Sequence, residues 1–165
     1  YMSMRNVKRY DHIWKIGDVC RHVVFVGSGL FRNYYLSNGK EVAIRFFKET
    51  SMFVSYQSFV LQVPSAIAFQ ALEDSEIITV PRAAIYDLYD RYKSVDRLGR
   101  VVAERGFVEI QNLRELTVTL TPEERYARLA AEHPDIINRI PQHYISSYLG
   151  MTPEHLSRVL KKMRS

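Results

Sequence analysis

A chain of 165 residues, 47% hydrophobic and 25% charged, has room for one globular domain and a small second module, and is too apolar to be disordered. Its single cysteine, Cys20, excludes an internal disulfide and any cysteine-built metal or iron–sulfur cluster, and its net charge of +5 admits a polyanionic partner without specifying one. No apolar run reaches the roughly 18 residues of a membrane span, and the start Tyr1-Met2-Ser3-Met4-Arg5 lacks the apolar core of a signal peptide, so a soluble cytoplasmic protein is expected.

The first half reads as strands. Residues 23–26, 30–36 and 41–47 are rich in β-branched and aromatic side chains, and Asn38-Gly39 lies between the last two as a tight-hairpin signal. Val42, Ile44 and Phe46 alternate with Ala43 and Arg45, the period of a strand buried on one side. Residues 67–71 and 76–80 add two more short strands, and this spacing predicts a sandwich or barrel.

After Pro81 the pattern becomes helical. Residues 83–92 carry Ile85, Leu88 and Tyr89 at helical spacing, and residues 94–120 contain no proline. The second stretch predicts a helix of roughly 40 Å at about 1.5 Å rise per residue. Its apolar steps at Val95, Leu98, Val102, Leu113, Leu116 and Leu120 read either as a surface helix packed on its own domain or as a subunit-pairing helix. Gly99 and Gly106 would then either admit a partner helix or simply weaken the segment. Thr121-Pro122-Glu123-Glu124 is a helix start with an N-cap, a first-turn proline and a Glu three residues after the cap. His133-Pro134 ends that helix.

From Gln142 the spacing predicts a helix-turn-helix. Ile145 and Leu149 supply an inner face, Ser146 is small where a second helix must approach, Gly150 takes the turn, and Met151 fills the space beneath it. Thr152 caps the second helix, with Pro153 at its first position and Glu154 near its positive end. Leu156, Val159, Leu160 and Met163 form one apolar stripe. Pro153, Glu154, Ser157, Arg158 and Lys161 fall on the other face, which has the chemistry of a major-groove reader. Arg158 suits guanine O6 and N7, and Glu154 suits cytosine N4. Lys161, Lys162 and Arg164 suit phosphates, with Thr152, His155 and Ser157 as neutral donors. The bland alternative is a two-helix corner with a solvated charged face.

Residues 121–126, 145–153 and 156–158 resemble the C-terminal module of Crp/Fnr-type transcriptional regulators, above all forms common in Bacteroidetes. Gly17-Asp18, Gly29-Leu30-Phe31-Arg32, Gly39-Lys40-Glu41 and Ala71-Leu72-Glu73-Asp74-Ser75 resemble the cyclic-nucleotide-binding-like β-roll of the same family. The resemblance implies an α+β protein with a β-roll (double-stranded β-helix) sensor domain over residues 1–93, a dimerisation helix over 94–120, and a helix-turn-helix DNA-binding domain over 121–165. It further implies a homodimer, with double-stranded DNA and RNA polymerase as partners and an unidentified small-molecule effector.

In family members that bind cyclic nucleotides, a Gly-Glu pair and an Arg followed by a small residue hold the ribose and cyclic phosphate. By the resemblance those positions fall near Ser55 and near Ser65, and burying a phosphate without a cation is costly, so cyclic AMP is not expected to bind. Arg45, Ser55, Tyr56, Gln57 and Ser65 are the candidate lining of a pocket for another effector, unless the interior is simply filled. Many relatives carry a β-hairpin wing after the second helix, and no sequence for one follows here.

No cofactor is implied. The five histidines form no His-x-His or His-x-x-x-His pair, which argues against a metal-dependent isomerase or oxygenase, and no enzymatic activity is expected. The remaining alternatives are a cyclic-nucleotide-responsive regulator and an interaction module that binds no DNA.

Overall fold

The computed structural model describes residues 2–163; Arg164 and the side chain of Met163 lie outside the described residues. The strands are β1 (Ser3–Val7), β2 (His12–Trp14), β3 (His22–Ser28), β4 (Phe31–Ser37), β5 (Lys40–Phe47), β6 (Met52–Phe53), β7 (Ala68–Ala71) and β8 (Ser75–Pro81). They make two four-stranded sheets of order β1-β8-β3-β6 and β2-β7-β4-β5, with every pairing antiparallel. Five of these strands are those the sequence predicts. The others carry too little pattern to read: β2 and β6 have three and two residues, and β1 exposes nearly all its side chains.

Between the sheets the interior is filled with rings. Phe53 stacks on Phe69 at a centroid distance of 4.8 Å, Trp14 meets both edge-on, and Phe31 and Phe47 close the cluster. Each buried aromatic removes a large apolar area from water and the tilted contacts add specificity. Asn38 and Gly39, at φ 51° and 75°, form the two-residue turn joining β4 to β5.

Helix α1 (Tyr56–Leu61) crosses between β6 and β7, and α2 (Arg82–Arg91) leaves the end of β8. Helix α3 (Lys93–Thr119) runs 27 residues without burying one side chain. Then come α4 (Pro122–Glu132), α5 (Pro134–Ile137), α6 (Gln142–Leu149) and α7 (Pro153–Met163). The start of α4 is a complete capping box: Glu124 N–H donates to Thr121 Oγ1, and Thr121 N–H donates back to Glu124 Oε2.

A second core lies at the junction of the two halves. Ile136, Ile140, Ile145, Leu149 and Leu156 of the helical half are buried together with Leu30 and Leu72 of the strand half. The segment from α5 to α7 is thus packed on the β-roll, with α6 seated against β5 at the edge of the β2-β7-β4-β5 sheet.

Candidate nucleic-acid interface

The corner between α6 and α7 is built by backbone chemistry. Gly150, at φ 71°, donates to the Ser147 carbonyl at 3.2 Å while Met151 N–H reaches the Ser146 carbonyl at 3.0 Å, the paired bonds of a left-handed helix stop. A Cβ at this φ would be strained, so a glycine is needed here. Ser146 is 2% exposed, giving the small contact the crossing needs. Arg125 of α4 donates to the Leu149 carbonyl at 2.6 Å and neutralises the negative end of α6.

Helix α7 then divides by face. Leu156 is fully buried and Val159 and Leu160 are half-buried, whereas Thr152, Pro153, Glu154, Ser157, Arg158, Lys161 and Lys162 are exposed. His155 N–H donates to Thr152 Oγ1 at 3.2 Å, the expected cap. His155 departs from the outward set: its ring turns back to α4, where Nε2 lies 2.9 Å from Glu123 Oε1. Arg164 lies outside the described residues.

The opposite side of α6 carries a second stripe that the sequence reading missed. Ser147 Oγ donates to the Glu41 carbonyl at 2.9 Å and accepts from Ala43 N–H at 3.1 Å, pairing backbone groups on the free edge of β5. One turn earlier, Tyr144 covers Arg32, whose guanidinium carbon sits 3.7 Å from the Tyr144 ring centroid and 4.3 Å from that of Tyr34. One residue beyond Ser147, Tyr148 meets Phe46 edge-on at 5.5 Å. The spacing of Tyr144, Ser147 and Tyr148 at i, i+3 and i+4 is the signal that would have revealed this face.

Ion pairs close the seam. Arg139 donates to Glu49 at 2.8 and 3.1 Å and to Glu73, and Lys48 reaches Asp135 at 2.6 Å. The Arg139 guanidinium beside Glu49 holds that carboxyl down to about 2.

The candidate effector residues do not converge. Ser55 and Ser65 are buried and bonded to each other, while Tyr56 and Gln57 are exposed on α1. Arg45 points away, pairing with Glu109 of α3 at 2.8 Å and lying over Phe47. Regular alternation does not hold along β5: across from a register shift between Asn33 and Tyr34, Ala43 and Phe47 are buried, Val42, Ile44 and Phe46 are only half-buried, and Arg45 is exposed on the edge strand, where its charge reaches solvent. Burial pushes the Cys20 thiol up, away from the thiolate form. Among the described residues, no group of three or more His, Cys, Asp and Glu is arranged to hold a metal ion, and no helix is long and apolar enough to cross a membrane.

The two glycines of α3 differ. A Cβ on Gly99 would fall 2.4 Å from the Tyr89 hydroxyl, so this position receives α2 of the same chain. Gly106 has nothing within 4 Å. Leu98, Phe107, Val108, Ile110 and Val118 are each more than half exposed.

A family model described as the cyclic nucleotide-binding domain matches residues 4–92. Among solved structures, FixK2 from Bradyrhizobium japonicum is similar with a TM-score of 0.86 at 19% identity, over 99% of this chain and 85% of that one. The catabolite activator protein of Thermus thermophilus is similar with a TM-score of 0.58 at 22% identity, over 99% and 78%. The c-di-GMP-responsive global regulator CLP of Xanthomonas campestris is similar with a TM-score of 0.72 at 14% identity, over 99% and 86%. A search of the curated proteins found no match.

Proposed function

Because the chain belongs to the cyclic nucleotide-binding domain family, we propose that it is a transcriptional regulator of the Crp/Fnr type, binding operator DNA as a dimer without cyclic AMP. The observation that carries this reading is the division of α7: Leu156 is fully buried while Glu154, Ser157, Arg158 and Lys161 stand exposed in one row. Such a helix presents a guanidinium and a carboxylate to base edges and lysines to phosphates. The similarity in fold to FixK2 and the catabolite activator protein, over 99% of this chain, supports this reading. In this reading residues 1–93 are the sensor domain, 94–120 pair the subunits, and 121–165 read DNA.

Pairing through α3 is supported by its apolar surface. A helix of 27 residues with none fully buried, carrying Leu98, Phe107 and Ile110 into solvent although it rests on α2 at Gly99, gains further stability by covering that surface. The absence of cyclic AMP from the proposed mechanism rests on Ser55 and Ser65, which satisfy one another and offer a phosphate no cation. No catalytic step is proposed.

The test is selection of sites from random duplex by the whole protein, followed by affinity measurements on selected and scrambled DNA across a salt series. Enrichment of a two-fold-related sequence supports the reading. Binding that ignores sequence, or no binding at all, overturns it.

A further inference from the structure

Helix α6 has two working faces. Ile145 and Leu149 bury against α7, and Tyr144, Ser147 and Tyr148 are seated on β4 and β5. Because one short helix carries both contacts, the direction of α7 relative to the β-roll is fixed wherever α6 is fixed.

The roll side of this joint is unusually polar for its depth. Arg32 is 1% exposed, and taking a guanidinium out of water costs several kcal/mol unless it is well paired. Gln70 Oε1 accepts from Arg32 Nε at 3.0 Å and from Nη2 at 2.7 Å, and Glu41 pairs with Nη2. Gln70 is itself held, donating Nε2–H to the Tyr10 carbonyl at 3.0 Å. Arg32 Nη1 finds no hydrogen-bond partner. An apolar residue would fill the space without that expense. The planar cation instead lies between the Tyr34 and Tyr144 rings and selects one placement of Tyr144. Ser147 supplies a second, directional constraint, since its single hydroxyl must meet both Glu41 C=O and Ala43 N–H.

We infer that α6 is the aiming element of the molecule, with Tyr144, Ser147 and Arg32 as positioning residues that set where α7 points from the β-roll. Its consequence for DNA, the spacing between the two half-sites of a dimer, rests on the function proposed above.

Two measurements on the full chain with Tyr144→Ala and Ser147→Ala combined test it. Spin labels on Glu76→Cys and Lys161→Cys, both exposed positions, report the distance from β8 to α7, and Cys20, at 0% exposure, stays unlabelled. A narrow distribution is expected in the parent and a broad one in the double variant, with helix and sheet content unchanged. Site selection should keep the base preference within each half-site but lose the preferred spacing, with about a tenfold loss on the best-spaced site, or about 1.4 kcal/mol. Tyr144→Phe, which keeps the ring over Arg32, should restore both readouts when paired with native Ser147. If the double variant fails to fold, Ser147→Ala alone carries the test, since it removes only a hydroxyl. A lowered melting temperature with unchanged distances and unchanged spacing would make these contacts merely structural and overturn the inference. A parent that selects no DNA refutes the regulator reading, while the distance distributions still decide the aiming role.

Discussion

The hydroxyls of Ser55 and Ser65 lie 2.7 Å apart, and Ser65 also bonds the Ile67 carbonyl at 2.7 Å. The two positions that the resemblance sets near a ribose anchor and a phosphate anchor thus complete one another's hydrogen bonding inside this chain. A phosphate brought there would break a buried bond and meet no positive charge. Cyclic AMP at millimolar concentration is therefore expected to leave both melting temperature and DNA affinity unchanged. A ligand at 100 times its dissociation constant adds about 2.7 kcal/mol to stability, so calorimetry would reveal binding as a clear upward shift, and that shift would sink the expectation.

Arg158 and Lys161 are expected to differ in kind. Arg158→Ala should cost roughly 1 to 3 kcal/mol on the best half-site, far less on random duplex, and erase preference at one position. Lys161→Ala should weaken both duplexes alike and lower the salt slope by about one unit. Affinities for operator and scrambled duplex across a salt series distinguish them. Equal weakening of both duplexes by Arg158→Ala, with the selected sequence unaltered, would mean that α7 does not lie in the groove.

At micromolar concentration the parent is expected to sediment as a dimer, and the variant carrying Leu98→Asp and Ile110→Asp as a monomer. Both side chains are more than half exposed in the single chain, so the monomer's own core should be little affected. Retention of the parent's dimer by the variant would place the subunit contact elsewhere.

Acid should loosen the seam between the halves. Glu49 has its ordinary value near 4.5 when unfolded and about 2 when held by Arg139 and by Gly29 N–H at 3.0 Å. A depressed folded value gives stability that is complete above about 4.5 and lost as the pH falls toward 2. Melting curves from pH 6 down to about 2.5 should therefore slope less steeply for Glu49→Gln than for the parent. Parallel curves would show that the pair contributes nothing.

What could be read from the sequence was what neighbouring residues decide. The Thr121–Glu124 capping box, the Asn38-Gly39 turn and the Gly150 stop are each set within a few positions, and each lies where its spacing predicts. The strands lost to the reading depend on distant partners: Ser3 of β1 is opposite Thr79 of β8, and no periodicity in residues 3–7 announces that pairing. Arg45 lies away from the pocket expected of it because two distant features place it: the register shift opposite it in β4 and the passage of α3 with Glu109. The dock of α6 was missed for the same reason, since Ser147 meets residues more than a hundred positions earlier.

The sharing of Leu30 and Leu72 with the core of the helical half has a consequence for how the chain comes into being. Synthesis proceeds from the N-terminus, so the β-roll is complete before α6 and α7 emerge, and it presents a finished apolar seat for them to close upon. Residues 121–163 cut free of the roll would lack two of the seven buried members of that core. Such a fragment should hold its capping box and local helix while its interior stays fluid, binding hydrophobic dyes that the intact protein excludes.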